Sequence, residues 1–95
     1  MKILALEEET PGVKPEQFLE YLKSEAKKIW ELYQEGIIRE FYFRGEPKEA
    51  VLIMEATSME EANQVLGSLP LVQAGLITFE VIPLIPYTGF SRLFV

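Results

Sequence analysis

The hydrophobic pattern of the chain alternates between the period of a strand and the period of a helix. Runs with a period of two, or short apolar runs, indicate strands, and apolar residues every three or four positions indicate amphipathic helices. The predicted elements are, in order, a strand over 2–6, a helix over 16–35, strands over 37–44 and 50–56, a helix over 59–69 and a strand over 76–84. This order predicts an α+β fold within one domain of 95 residues.

Local signals support the helix boundaries. Pro15 suits the first position of the first helix, and Gly36 suits its C-terminal cap. Ser58 and Glu61 have the spacing of a capping box at the start of the second helix. The order β-α-β-β-α-β therefore predicts the ferredoxin-like motif over 1–95, with a four-stranded antiparallel sheet and both helices on one face. Trp30 and Tyr33 are assigned to the core under the first helix.

Composition excludes several classes of function. The chain has 9 Lys and Arg against 15 Asp and Glu, a net charge of −6, which disfavours nucleic acid and anionic membrane surfaces as partners. It has no Cys and no His, which excludes disulfides, thiolate chemistry, histidine-based triads and His-ligated haem. We expect no cofactor and no metal. The short apolar stretch at the N-terminus does not match a signal peptide, so a cytoplasmic protein is expected.

The charged residues are unevenly placed. Between Leu69 and Val95 only Glu80 and Arg92 are charged, although this segment is rich in apolar residues. A monomer of this size has little interior in which to bury such a segment. We therefore expect a homodimer or higher homo-oligomer, with residues 85–95 as a C-terminal extension at the subunit interface.

Alternation along the third and fourth strands leaves one face of the sheet without helices. Leu52, Met54 and Ala56 suit the helix-facing side of the third strand, and Ile77, Phe79 and Val81 suit that of the fourth. The opposite side, called here the open face, would present Val51, Ile53, Glu55, Leu76, Thr78, Glu80 and Ile82. This face is too apolar for water, so two sheets are expected to pack face to face and to enclose a cavity.

A family resemblance rests mainly on the last third of the chain. The residues that carry it are Leu69-Pro70-Leu71, Gly75-Leu76-Ile77-Thr78-Phe79-Glu80-Val81, Pro83-Leu84 and Pro86-Tyr87. In this pattern the chain resembles the muconolactone-isomerase-like group of the dimeric α+β barrel superfamily. The resemblance implies a dimeric barrel and an intramolecular isomerase. The chain lacks the His that muconolactone isomerase carries on its first strand, so the resemblance implies fold and assembly more firmly than the reaction.

Two functions are compatible with these features. The first is a cofactor-independent isomerase or related enzyme for a small carboxylate or lactone, in which Glu55 or Glu80 moves a proton and Arg39 holds an anion. Arg44 is the alternative to Arg39, since the two lie on opposite faces of the second strand. The second function is a non-catalytic ligand-binding or oligomeric structural module. The acidic run 7–9 is interpreted as a solvated strand end.

Overall fold

The computed structural model describes residues 1–95 and contains the six predicted elements in the predicted order. The strands and helices are β1 (Lys2–Glu9), α1 (Leu22–Gln34), β2 (Ile38–Phe43), β3 (Ala50–Glu55), α2 (Met59–Gly67), α3 (Pro70–Gln73) and β4 (Ile77–Leu84). A 3-10 segment, Pro15–Tyr21, precedes α1, and a second one, Gly89–Phe94, follows β4. The short helix α3 is an addition to the prediction, and Pro70 at its first position explains why α2 does not continue into it.

The four strands form one antiparallel sheet in the order β2-β3-β1-β4. In the centre of the sheet Ile3 pairs with Met54 and Ala5 pairs with Leu52, and β1 also pairs with β4 along its whole length. This topology confirms the predicted ferredoxin-like fold. Pairing of two such sheets into a barrel stays a prediction.

The main core lies between the sheet and its helices. Ile3, Ile38 and Met54 from the sheet and Ala62 from α2 have no exposed surface. The cap of α2 is as predicted, because the Ser58 hydroxyl oxygen accepts a hydrogen bond from the Glu61 N–H at 3.0 Å. These contacts fix α2 against the sheet near β4.

The predicted long first helix is divided in two. Residues Pro15–Tyr21 form the 3-10 segment, and the α-helix begins only at Leu22. The assignment of Trp30 and Tyr33 to the core is wrong, since 55% and 43% of their surfaces are exposed. The physical reason is that α1 stands away from the sheet over a cavity. The Trp30 ring contacts the Tyr33 ring, and the Tyr33 ring meets the Phe41 ring edge to face.

A β-bulge changes the predicted alternation of β2. Ile38 pairs with Met54 and Glu40 pairs with Ile53, so that Arg39 is an extra residue in the strand. Ile38 and Phe41 consequently share the helix-facing side. Under strict alternation two residues three positions apart would lie on opposite sides. The extra residue therefore reverses which positions of β2 face the helices after the bulge.

Two further expectations are corrected. Strand β1 continues to Glu9, and Glu7 keeps the helix-facing parity of Ile3 and Ala5 with only 8% of its surface exposed. It is therefore not part of a solvated strand end. Leu76, which alternation had placed on the open face, precedes β4 and is buried beside Leu71.

The chain after β4 extends away from the sheet. Its apolar side chains, among them Ile85, Phe90, Leu93 and Phe94, are at least two-thirds exposed. The longest dimension of the molecule is 57 Å against 28 and 20 Å for the other two. None of the helices combines the length and the apolar character needed to cross a bilayer.

Candidate active site between helix α1 and the sheet

A cavity of about 930 Å³ lies between the helix-facing side of the sheet and α1 with its preceding 3-10 segment. Of the 17 residues that line it, 12 are hydrophobic, including Phe18, Leu22, Ile29, Phe41 and Phe79. A largely apolar concavity of this size with few polar groups is typical of a small-molecule site. The two least exposed carboxyl groups of its wall are those of Glu7 and Glu25.

Strand β1 brings the Glu7 carboxyl to the sheet side of the cavity. Burial raises the pKa of Glu7, and the nearby backbone N–H of Ala50 lowers it in part. The carboxylates of Glu49, Glu9 and Glu25 raise the pKa of Glu7 further by repulsion. An acid in this environment keeps its proton at a higher pH than a solvated glutamate does.

Helix α1 brings the Glu25 carboxyl to the other side. Glu25 follows Leu22 by three residues and precedes Ile29 by four, so it lies within the apolar stripe of the helix. Its Oε1 accepts a hydrogen bond at 2.9 Å from the N–H of Leu71, which lies in the first turn of α3 and has no partner within that helix. Burial raises the pKa of Glu25, and this hydrogen bond lowers it in part.

The two carboxyls can play different roles in proton transfer. The pKa of Glu7 is raised by burial and by three neighbouring carboxylates, whereas burial alone raises the pKa of Glu25. Like charges in one apolar cavity resist joint ionisation, and Glu7 has more acidic neighbours than Glu25 has. Glu7 is therefore the better candidate for the acid and Glu25 the better candidate for the base.

Positive charge is scarce in this cavity. Lys48 is the only basic residue of the wall; it is exposed, and its Nζ lies 5.2 Å from the centre of the Phe43 ring. No group of three or more acidic residues has an arrangement that could hold a metal ion. The carboxyl groups of the wall are suited to acid-base chemistry.

The residues predicted from sequence lie elsewhere. Glu55 lies on the open face, where its Oε2 is 3.3 Å from the N-terminal amine of Met1. Glu80 is exposed on the same face and pairs with Leu6 of β1, whereas Glu55 pairs with Lys2. These two positions of β1 are about 13 Å apart along the strand. The side chain of Arg39 turns back at the bulge, and its Nε donates to the Gly36 carbonyl at 2.5 Å. The structure does not bring the three together.

The sequence contained a signal for the residues that the prediction omitted. Glu7 follows Ile3 and Ala5 at intervals of two, and Glu25 occupies a position of the apolar helical stripe. A carboxylate at a position that periodicity assigns to the core is a candidate for burial.

Comparison with known proteins identifies the family to which the chain belongs. The family model described as muconolactone delta-isomerase matches residues 5–89. The chain belongs to the muconolactone delta-isomerase family. This membership confirms the resemblance seen in the last third of the sequence. A search of curated proteins returned no significant match.

Two solved structures share the fold of this family member. A structure of muconolactone isomerase superposes with a TM-score of 0.77 at 19% identity, covering 94% of this chain and 93% of that one. The 5-chloro-2-hydroxyhydroquinone dehydrochlorinase of Burkholderia phenoliruptrix AC1100, in complex with 2,5-dihydroxybenzoquinone, superposes with a TM-score of 0.72, also at 19% identity, covering 94% of this chain and 98% of that one. At this level of identity the two structures establish the fold.

Proposed function

We propose that this protein is a cofactor-independent enzyme that moves protons on a small ring substrate in the cavity beneath α1. The observation that carries the proposal is the pair Glu7 and Glu25, two carboxyls with raised pKa values in one largely apolar wall. Desolvated carboxyls with unequal environments are suited to act as the acid and the base of a proton transfer. Membership of the muconolactone delta-isomerase family supports the same reaction class.

The cavity favours an uncharged lactone or hydroxylated ring as substrate. Its aromatic side chains offer flat apolar surface, and its interior carboxyls repel an anion. A carboxylate on the substrate would be tolerated only where it reaches Lys48. The related dehydrochlorinase, whose structure holds a hydroxylated quinone, supports a ring ligand of this size.

With Glu25 as the base and Glu7 as the acid, the reaction consists of two proton transfers. The Glu25 carboxylate removes a proton from the carbon next to the ring carbonyl, and the electron pair of that C–H bond forms an extended enolate. The Glu7 carboxylic acid then donates its proton to the distal carbon of the enolate, and the double bond moves by one position. The substrate is isomerised without gain or loss of atoms, and a return proton transfer from Glu25 to Glu7 restores the starting state.

A neutral probe tests this assignment. α-Angelica lactone, an unsaturated five-membered lactone, has a conjugated isomer that absorbs in the far ultraviolet and can be separated from it by chromatography. We expect Glu7→Gln and Glu25→Gln each to reduce the rate of this isomerisation by about 10²-fold or more, the usual contribution of a general acid or base. Glu8→Gln is the matched control, because Glu8 adjoins Glu7 in β1 but is exposed on the opposite face. Wild-type rates in both cavity variants would refute the proposal.

The open-face residues are the competing assignment, and the same assay includes them. Glu55→Gln, Glu80→Gln and Arg39→Gln should retain the wild-type rate if the site is beneath α1. Loss of activity in these variants alone would instead support the prediction made from sequence. Binding of the lactone without isomerisation would support the alternative of a non-catalytic binding module.

A cytoplasmic location and a homo-oligomer belong to the same proposal. Cell fractionation would test the location, and sedimentation analysis would test the assembly.

A further inference from the structure

The pairing of strands β1 and β3 ends beside the cavity. Their register runs from Lys2 opposite Glu55 to Leu6 opposite Val51 and stops there. Strand β1 continues to Glu9, where it stays paired with β4 on its other side. The main-chain groups that this end of β1 directs toward β3 therefore lack partners in a β-ladder and must be satisfied in another way.

Two glutamate side chains connect the strands where the ladder has ended. The N–H of Glu9 donates to the Oε2 atom of Glu49 at 3.0 Å. In the other direction the N–H of Ala50 donates to the carboxyl of Glu7. The main chain at Glu49 is itself fixed, because its carbonyl accepts from the Arg44 N–H at 2.8 Å. The crossed contacts bring the Glu49 carboxylate to the same end of β1 as the Glu7 carboxyl.

The charges around Glu7 do not act on it equally. Strand β4 places the uncharged Phe79 opposite Glu7, and α3 has no charged residue. The charged residues near Glu7 lie on β1, on α1 and just before β3, and they are Glu9, Glu25, Lys48 and Glu49. Glu9 and Lys48 are exposed, so water screens their charges, whereas Glu49 is half-buried. Burial raises the pKa of Glu7 most, and among the charges that of Glu49 raises it furthest.

We infer that Glu49 is a positioning residue that keeps Glu7 in its proton-bearing form, ready to act as the acid of the reaction. A carboxylate that the Glu9 N–H holds in place repels negative charge on the nearby Glu7. The same repulsion favours the return of a proton to Glu7 after each turnover. The role of Glu7 as an acid rests on the proposed function, whereas the effect of Glu49 on its protonation does not depend on any reaction.

The protonation of Glu7 can be followed without substrate. The carbon-13 NMR signal of its carboxyl is recorded against pH in the full chain, and Glu7→Gln identifies that signal by its loss. Glu49→Gln removes the charge but keeps an oxygen that accepts from the Glu9 N–H. We expect the midpoint of the Glu7 titration to fall by about half a pH unit or more in this variant. An unchanged midpoint would overturn the inference.

Glu46→Gln is the matched control, because Glu46 lies in the same turn and loses the same charge but is exposed and outside the cavity wall. Its Glu7 midpoint should equal that of wild type, and a fall as large as in Glu49→Gln would overturn the inference.

The pH profile of lactone isomerisation gives a second readout. The rate should fall as Glu7 loses its proton, and in Glu49→Gln this fall should begin at a lower pH. At the wild-type midpoint the variant should be roughly twofold slower, and at a pH below both midpoints the two rates should be equal. A profile identical to that of wild type in both limbs, with an unmoved Glu7 midpoint, would overturn the inference. A lowered midpoint in a protein that does not isomerise the lactone would uphold the effect of Glu49 on Glu7 and refute the proposed function.

Discussion

At the scale of residues, the site depends on two glutamates whose surroundings differ. Glu7 lies on the central strand among other carboxylates, and Glu25 lies in the apolar stripe of α1 with one hydrogen bond from Leu71. The hydrophobic periods of β1 and α1 could have indicated both positions. The raised pKa values could not be predicted, because they depend on burial beside the cavity and, for Glu7, also on Glu49 and Glu25, which are distant from it in sequence.

The raised pKa of Glu7 makes its contribution to stability dependent on pH. Between its usual pKa of 4.5 and the raised pKa, the folded chain binds more protons at this residue than the unfolded chain does. The favourable contribution of Glu7 is therefore complete below pH 4.5 and is lost as the pH rises through the raised value. Since Gln does not ionise, Glu7→Gln should gain stability relative to wild type as the pH rises.

Urea unfolding at pH 4 and at pH 7.5 checks this expectation. The unfolding free energy of Glu7→Gln minus that of wild type should be larger at pH 7.5 than at pH 4. Glu8→Gln is the control, because Glu8 is exposed and burial gives it no such dependence on pH. An equal difference at the two pH values would show that the folded protein does not raise the pKa of Glu7.

At the scale of elements, the turn between α1 and β2 shows what periodicity can and cannot predict. The end of the helix at Gly36 was predictable, since Gly follows the last turn and adopts a φ of +78°. The bulge at Arg39 was not predictable, because an extra residue in a strand leaves no mark in composition. That bulge places Phe41 in the cavity wall and turns Arg39 toward the Gly36 carbonyl.

The backbone at Gly36 gives a test at this scale. Gly36→Ala should lower the unfolding free energy by about 1–2 kcal/mol, since an added Cβ disfavours the left-handed conformation. Only the flexible Arg39 side chain lies within 4 Å of that Cβ, so the cost comes from the backbone. Gly45→Ala is the control, because Gly45 lacks a positive φ and has open space around it. Equal stabilities of the two variants in chemical denaturation would contradict this account.

At the scale of the whole molecule, the order of elements was predictable and the place of the cavity was not. The hydrophobic periods of the strands and helices, with the helix caps at Ser58 and Gly36, were sufficient to predict the ferredoxin-like fold. The cavity had been expected on the open face, where two sheets would meet. The structure has one on the helix side, because α1 stands off the sheet over Phe41 and Phe79. Such spacing arises from tertiary packing, which a single sequence pattern does not encode.

The location of a bound ring is the most direct test of the central claim. A crystal structure of the full chain with a saturated γ-lactone, which has the ring and carbonyl but no double bond to move, would reveal it. We predict the ring between Phe41 and Phe79, with its carbonyl side toward Glu7 and Glu25. A lactone bound on the open face beside Glu55 and Glu80, with the cavity beneath α1 free of ligand, would contradict the account.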